Sequence, residues 1–498
     1  MKALAGTKRP DILSVSGNPT KAYRRELLQN QIWQVLNFGS KAGFLLLLTP
    51  LMISKWGADG YGLFALASSL LVSMAILDGG VRALTRIQMA EAWKNGDEAT
   101  ARRVYSEGLL TFASVCLLAI VISVALAVPG WMGEALRLPP GGAAVMVMTV
   151  ICTAVFMITL LGLEPLAARG NLSELKAANT WGAVAAIPVC AALVFANAPV
   201  GVVVFAYAFS LTVPNVVVAW RTGLFAMAPW KGLSHFGPRV AWKTLHSGVW
   251  YYLTTVSLVG KTHALTFLVS AMAGPAEAGL FYVLLRLSEI VGNVGATASE
   301  TSLAALSAAA DAKERRDCFR QSWLHVALFC THGALVFVFL TRHLLALWLH
   351  GEEKIPHTIG ITLAAFGLTG AFSRVVVNAS MGLDLTRPAA VAGAWEAVLS
   401  IVGAGVGFHL GGLPGLFLGG SLGILCLLPV TGLVSRECGW RSLWDWFVAL
   451  RRLLPGFVVA GVILYAAALS PNLFVWFGSL AVCGGIALWQ LKGIHARK

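Results

Sequence analysis

The feature that most constrains this chain is a succession of unbroken apolar runs, each long enough to cross a lipid bilayer. Residues 45–52, 109–128, 145–163 and 457–469 lie in such runs, and a helix needs roughly 20 residues to span the hydrocarbon core. Runs this long and this numerous do not fit the cores of a soluble domain. Charged residues make up only 12% of the chain, against about 25% in a soluble protein. Membrane β-strands alternate apolar and polar residues over about 10 positions, and these runs do not alternate. The pattern predicts an all-α polytopic membrane protein with about fourteen transmembrane helices. They are expected at 31–54, 61–85, 108–128, 142–166, 178–196, 198–220, 245–270, 278–304, 321–348, 358–382, 387–410, 412–434, 454–470 and 472–491.

Orientation follows from Lys and Arg, which collect in cytoplasmic loops. With the N-terminus inside, the outward connections and adjoining helix ends hold only Lys55, Arg137, Arg342 and Lys354. The other side holds clusters such as Lys21, Arg24 and Arg25, or Arg436, Arg441, Arg451 and Arg452. Both ends are therefore expected in the cytoplasm. The net charge of +14 is spread over successive loops, whereas nucleic-acid binders gather it on one face, so nucleic acid is not an expected partner. Residues 1–28 are basic and polar, without the apolar core of a cleavable signal.

A weak internal repeat divides the chain. Gly62-Leu63-Phe64 and Gly279-Leu280-Phe281 open the second and eighth helices. Gln34, Asn37 and Lys41 are matched by Thr254, Ser257 and Lys261 at the same intervals of 3 and 4 on the preceding helices. The expected organisation is a cytoplasmic segment (1–30), an N-terminal six-helix bundle (31–220) and an interfacial linker (221–244). A C-terminal six-helix bundle (245–434), a cytoplasmic loop (435–453), a terminal helix pair (454–491) and a tail (492–498) follow. Transporters often bind substrate between such halves.

A charge at the centre of a span costs roughly 2.5–3.5 kcal/mol on the insertion scale. Lys41, Lys261, Arg286 and Arg374 nevertheless fall inside expected spans, as do Asp78, Glu164, Glu289, Glu300 and Glu396. They must face a wet cavity, pair with one another, or both. Arg286, Glu289, Asn293, Thr297 and Glu300 follow steps of 3, 4, 4 and 3 and form one polar stripe. Within it, Arg286 and Glu289 are close enough to neutralise each other. Arg374 shares a stripe with Asn378, and Lys261 has no acid at helical spacing in its own span. The four cations are candidates to bind an anionic substrate; Gln34, Asn37, Thr254, Ser257, Asn293 and Asn378 are candidate cavity polar groups. Asp78, Glu289, Glu300 and Glu396 are candidates for gating or ion coupling, and Glu164 for a gate or a structural salt bridge.

Other motifs are decoys. Gly260-Lys261-Thr262 ends like a phosphate-binding loop, but Thr255 stands where its first glycine belongs. The eight cysteines form no CxxC pair, and no metal or cofactor is expected. Gly411, Gly415, Gly419 and Gly423 recur every four residues, which in a membrane helix reads as close backbone packing.

Gly60-Tyr61-Gly62-Leu63-Phe64, Asp78-Gly79-Gly80 and the basic loop 82–103 resemble the multidrug/oligosaccharidyl-lipid/polysaccharide exporter superfamily. The likeness is to its polysaccharide or O-antigen flippase branch, and fourteen helices are also similar to the lipid II flippases. The resemblance implies a transporter rather than an enzyme, moving a polyprenyl-diphosphate-linked oligosaccharide to the outer leaflet of a bacterial inner membrane by alternating access. It implies membrane lipids and polysaccharide polymerase machinery as partners. An ion-coupled multidrug exporter of the same superfamily is the alternative. A membrane-embedded polymerase or ligase fits less well, since the outward connections are short.

Overall fold

The computed structural model describes residues 21–73, 80–169, 171–222, 224, 236–308, 311–348, 358–440, 450–451, 453–470 and 472–495. Among these residues the regular structure is helical, without a strand. Each of the fourteen expected helices falls on helical backbone over most of its described length. Nine described segments are long and apolar enough to cross a membrane. One of them, Thr386–Glu437, carries two of the expected helices end to end. The chain has the fold of a polytopic membrane protein.

Two compact units divide the molecule. The first comprises residues up to Tyr252 together with Thr266–Leu280; the second comprises Leu253–Leu265 and everything from Phe281.

In the first unit, α1 (Lys21–Ser73) covers the first two expected helices, broken at Gly57 with φ 70, a left-handed angle that glycine adopts without steric cost. It is followed by α2 (Val81–Lys94), α3 (Glu98–Ala127), α4 (Trp131–Ala135) and α5 (Gly142–Gly162), then α6 (Glu164–Ala168), α7 (Leu172–Phe195) and α8 (Val200–Arg221). Val81, Met89, Tyr105, Phe112 and Leu161 form one of its cores. Leu117, Leu118, Val121 and Ile122 of α3 are at least half exposed. Such a contiguous apolar surface is suited to lipid rather than water.

Two contacts here bear on the repeat and on helix starts. A Cβ at Gly279 would lie 3.1 Å from the Gly62 Cα, so the two Gly-Leu-Phe motifs meet at their glycines. At the start of α3, Asp97 accepts from the Thr100 N–H at 2.9 Å and from the Thr100 hydroxyl at 2.5 Å, the geometry of a helix cap. The Thr100 hydroxyl, and then its amide, hold the Asp97 carboxyl below its ordinary range. A depressed folded-state value means that the cap contributes fully above the unfolded carboxylate value. That contribution is lost as pH falls through the folded value. Corrected for intrinsic rates, amide exchange at Thr100 is expected to accelerate as pH drops below about 4. Asp97→Ala removes that dependence; unchanged protection in acid would contradict the cap.

In the second unit, α9 (Pro238–Thr255) and α10 (Lys261–Ala273) contribute their adjoining ends. The rest is α11 (Pro275–Ala308), α12 (Ala312–Trp348), α13 (Ile359–Gly382), α14 (Thr386–Ser421), α15 (Leu428–Glu437), α16 (Leu454–Ala468) and α17 (Leu473–His495). The terminal pair packs on α12, with Leu340 against Ala460, Leu464 and Cys483. α14 breaks at Gly411 and Gly412 and folds back on itself. Beyond the break, Gly415 lies on the Gly407 backbone and Gly419 on that of Gly403, so close that a Cβ at any of the four would overlap the opposing carbonyl. The four-residue glycine period is thus a packing seam. Gly411 belongs to the break instead and meets nothing within 4 Å.

Candidate functional site

The site begins with an irregularity in the helix. Between α9 and α10 the backbone widens into a π-turn at Val256–Gly260, a distortion frequent at functional sites. Ser257 lies in this turn and Lys261 directly follows it. Both meet one carboxylate, Glu396 of α14. The Lys261 ammonium pairs with Glu396 Oε1. Ser257 Oγ donates to Oε2 at 3.1 Å, and Ser373 Oγ of α13 donates to the same oxygen at 3.0 Å. Lys261 is 7% exposed and Glu396 1%. Burying such a pair is tolerable because the remaining carboxylate lone pairs find donors. Gly393, one turn before Glu396, allows the approach: a Cβ there would stand 2.6 Å from Ser257 Oγ.

A second charged group lies alongside. Arg286 Nη1 donates to Glu289 Oε2 at 2.6 Å, and its Nη2 donates to the Tyr282 hydroxyl at 2.7 Å. The guanidinium also sits 4.7 Å from the centre of the Tyr282 ring, within cation–π range. His263 Nε2 approaches Glu289 Oε1 at 3.7 Å. A cavity of about 30 Å³ is bordered by groups from both clusters, among them Lys261, Ser288, Glu289, Ser373 and Arg374. That is room enough for water. Among the described residues Lys261, Arg374 and Glu289 border it directly, while Glu396 and Arg286 are the ion-pair partners of Lys261 and Glu289.

Of the remaining candidates, Asn378 is buried one turn from Arg374, and Thr254 is buried just before the π-turn. Asn37, half-buried on α1, belongs to the first unit. Asp78 and the side chains of Gln34, Lys41, Asn293, Thr297 and Glu300 lie outside the described residues. Glu164 forms a salt bridge in the first unit, fully buried between Arg82 and Arg86 at 2.7 Å from each.

Sequence reasoning missed Ser373 and Tyr282 and set His263 aside. Tyr282 stands four residues before Arg286, so its contact was readable from helical spacing. Ser373 had no such signal, because its partner lies on another helix.

No protein-family model and no curated protein sequence matches this chain. Solved structures match it in fold. The lipid II flippase MurJ in an inward closed conformation aligns over 94% of this chain and 99% of its own, with TM-score 0.67 and 11% identity. An inward-facing multidrug resistance MATE family transporter of the MOP superfamily aligns over 83% of this chain and 96% of its own, with TM-score 0.59 and 14% identity. The eukaryotic MATE transporter AtDTX14 aligns over 87% and 99%, with TM-score 0.58 and 16% identity. The chain thus has the fold these transporters share.

Proposed function

We propose that this protein is a flippase that carries a polyprenyl-diphosphate-linked oligosaccharide, an O-antigen or related repeat unit, from the cytoplasmic to the outer leaflet of a bacterial inner membrane. The observation that carries this reading is the set of cations at the buried cavity, with Lys261 and Arg374 on its wall and Arg286 beside them. Among the described residues Lys261 meets Glu396 and Arg286 meets Glu289, and Arg374 adds a further guanidinium to the cavity wall. In a low-dielectric interior such cations attract an anion more strongly than they would in water. Arg suits phosphate through its planar fork, and Lys does so as a point charge. The substrate class also supplies an apolar tail that stays in the bilayer while the charged head crosses.

The flippase likeness extends over more of this chain than the multidrug likeness, which supports the same choice. In this reading Lys261, Arg286 and Arg374 attract the diphosphate. Glu289 and Glu396 are internal counter-charges. Alternating access exposes the cavity first to one leaflet and then to the other.

Arg374 gives the test. In proteoliposomes loaded with a fluorescent polyprenyl-diphosphate oligosaccharide, Arg374→Ala is expected to lower translocation about tenfold or more, since loss of a charged hydrogen bond is worth about 1.5–3 kcal/mol. Arg374→Lys keeps the charge and retains part of the rate. Equal rates in wild type and Arg374→Ala would remove Arg374 from the substrate path.

A further inference from the structure

The Glu396 carboxylate is held by three donors on separate elements: the Lys261 ammonium at the head of α10, the Ser257 hydroxyl in the π-turn and the Ser373 hydroxyl of α13. Together they make a preformed anion seat. One cation and two hydroxyls converge on two oxygens, in a region where those oxygens reach no water. We infer that Ser257, Lys261 and Ser373 form a phosphate seat, and that the Glu396 side chain occupies it in the empty protein as a built-in stand-in for the ligand's phosphate.

Three further observations carry the inference. Lys261 and Ser373 both line the small cavity that Arg374 also borders, so an anion arriving there meets the seat from its open side. The Lys261 ammonium and both hydroxyls are already engaged by Glu396, so a phosphate that reaches these donors must take the carboxylate's place rather than sit beside it. Glu396 also has somewhere to go. Ser400 lies one turn further along α14, is 1% exposed, and its Oγ has no hydrogen-bond partner among the described residues. It is a buried donor on the same helix face, placed to receive the carboxylate when the phosphate displaces it.

The groups facing Glu396 divide by element. Ser257 and Lys261 face it from the π-turn and α10, Ser373 from α13, and Gly423, which follows α14, lies against its backbone. The exchange has a consequence for the cycle. An empty carrier with an unsatisfied buried lysine would be held back by the cost of that charge; with Glu396 in the seat, it returns neutralised.

The inference rests on the flippase reading and deepens it, and binding of farnesyl diphosphate to the purified full-length protein tests it. Wild type is expected to bind, and Glu396→Gln to bind about tenfold more tightly, because the competing charge is gone. Adding Ser373→Ala to Glu396→Gln, where no carboxylate competes, is expected to weaken binding about fivefold, the loss of one hydrogen bond; Glu396→Ala replaces the glutamine variant if that does not fold. If wild type binds but removing the Glu396 charge gives no tighter binding, or adding Ser373→Ala to that variant changes nothing, the phosphate seat is overturned and the flippase reading stands. If neither wild type nor any variant binds a diphosphate, both fall.

Discussion

Glu164→Ala is expected to cost the folded protein about 3–5 kcal/mol, the range for removing one member of a buried ion pair. The Glu164 side chain has no exposed surface. Its Oε1 accepts from Arg82 Nε at 2.9 Å and Nη2 at 2.7 Å, and its Oε2 accepts from Arg86 Nε at 2.7 Å. Arg82 is 20% exposed and Arg86 39%, so neither guanidinium can recover full hydration when its partner is lost. The cluster ties α2 to the corner where α5 gives way to α6, and Pro165 opens α6 directly after Glu164. Arg86→Ala, which leaves Arg82 in place, costs about 1 kcal/mol, close to the value for an exposed pair. Thermal unfolding followed by fluorescence-detected size exclusion in detergent reads both. A loss below about 1 kcal/mol for Glu164→Ala would mean that the carboxylate is not the tie described.

Gly415→Leu is expected to destabilise by about 3 kcal/mol, the upper end for an overpacked site. In the α14 hairpin the opposing neighbour is backbone: a Cβ at Gly415 would overlap the Gly407 carbonyl. A flexible side chain could move aside, but a helix can only be displaced. The next turn of the seam, Gly403 on Gly419, would separate as well. Gly423 sits against the Glu396 backbone carbonyl in the same way, so the disturbance reaches the Lys261 pair. Gly411→Ala is the control, since nothing lies within 4 Å of its Cβ position, and a change within about 0.5 kcal/mol is expected there. Equal effects at Gly411 and Gly415 would show that helix propensity, not the seam, governs this region.

Hydropathy made the helices legible because each span must satisfy its backbone internally and present apolar side chains to lipid. The turn between the first two helices was placed within a few residues of Gly57, and the hairpin break at Gly411 itself. The glycine period was readable as packing, although only the structure gives Gly403 and Gly407 as its partners. Arg286 and Glu289 were readable as a pair because three residues along a helix bring side chains together. Lys261 was different. Its partner Glu396 is 135 residues away, and no periodicity links positions on two helices. The π-turn was equally hidden, since Val256–Gly260 is composed like any apolar helix. Equal intervals of 3 and 4 around Lys41 and Lys261 assumed a regular helix in both places, and at Lys261 the helix is not regular.

The most direct measurement of the central claim is a paired transport assay on wild-type protein in proteoliposomes. One set of vesicles carries a fluorescent polyprenyl-diphosphate oligosaccharide and the other a fluorescent organic cation, under the same ion gradient. A cavity walled by Lys261 and Arg374 predicts movement of the lipid-linked anion between leaflets and none of the organic cation above empty vesicles. Gradient-driven transport of the cation, with no movement of the lipid-linked oligosaccharide, would contradict it.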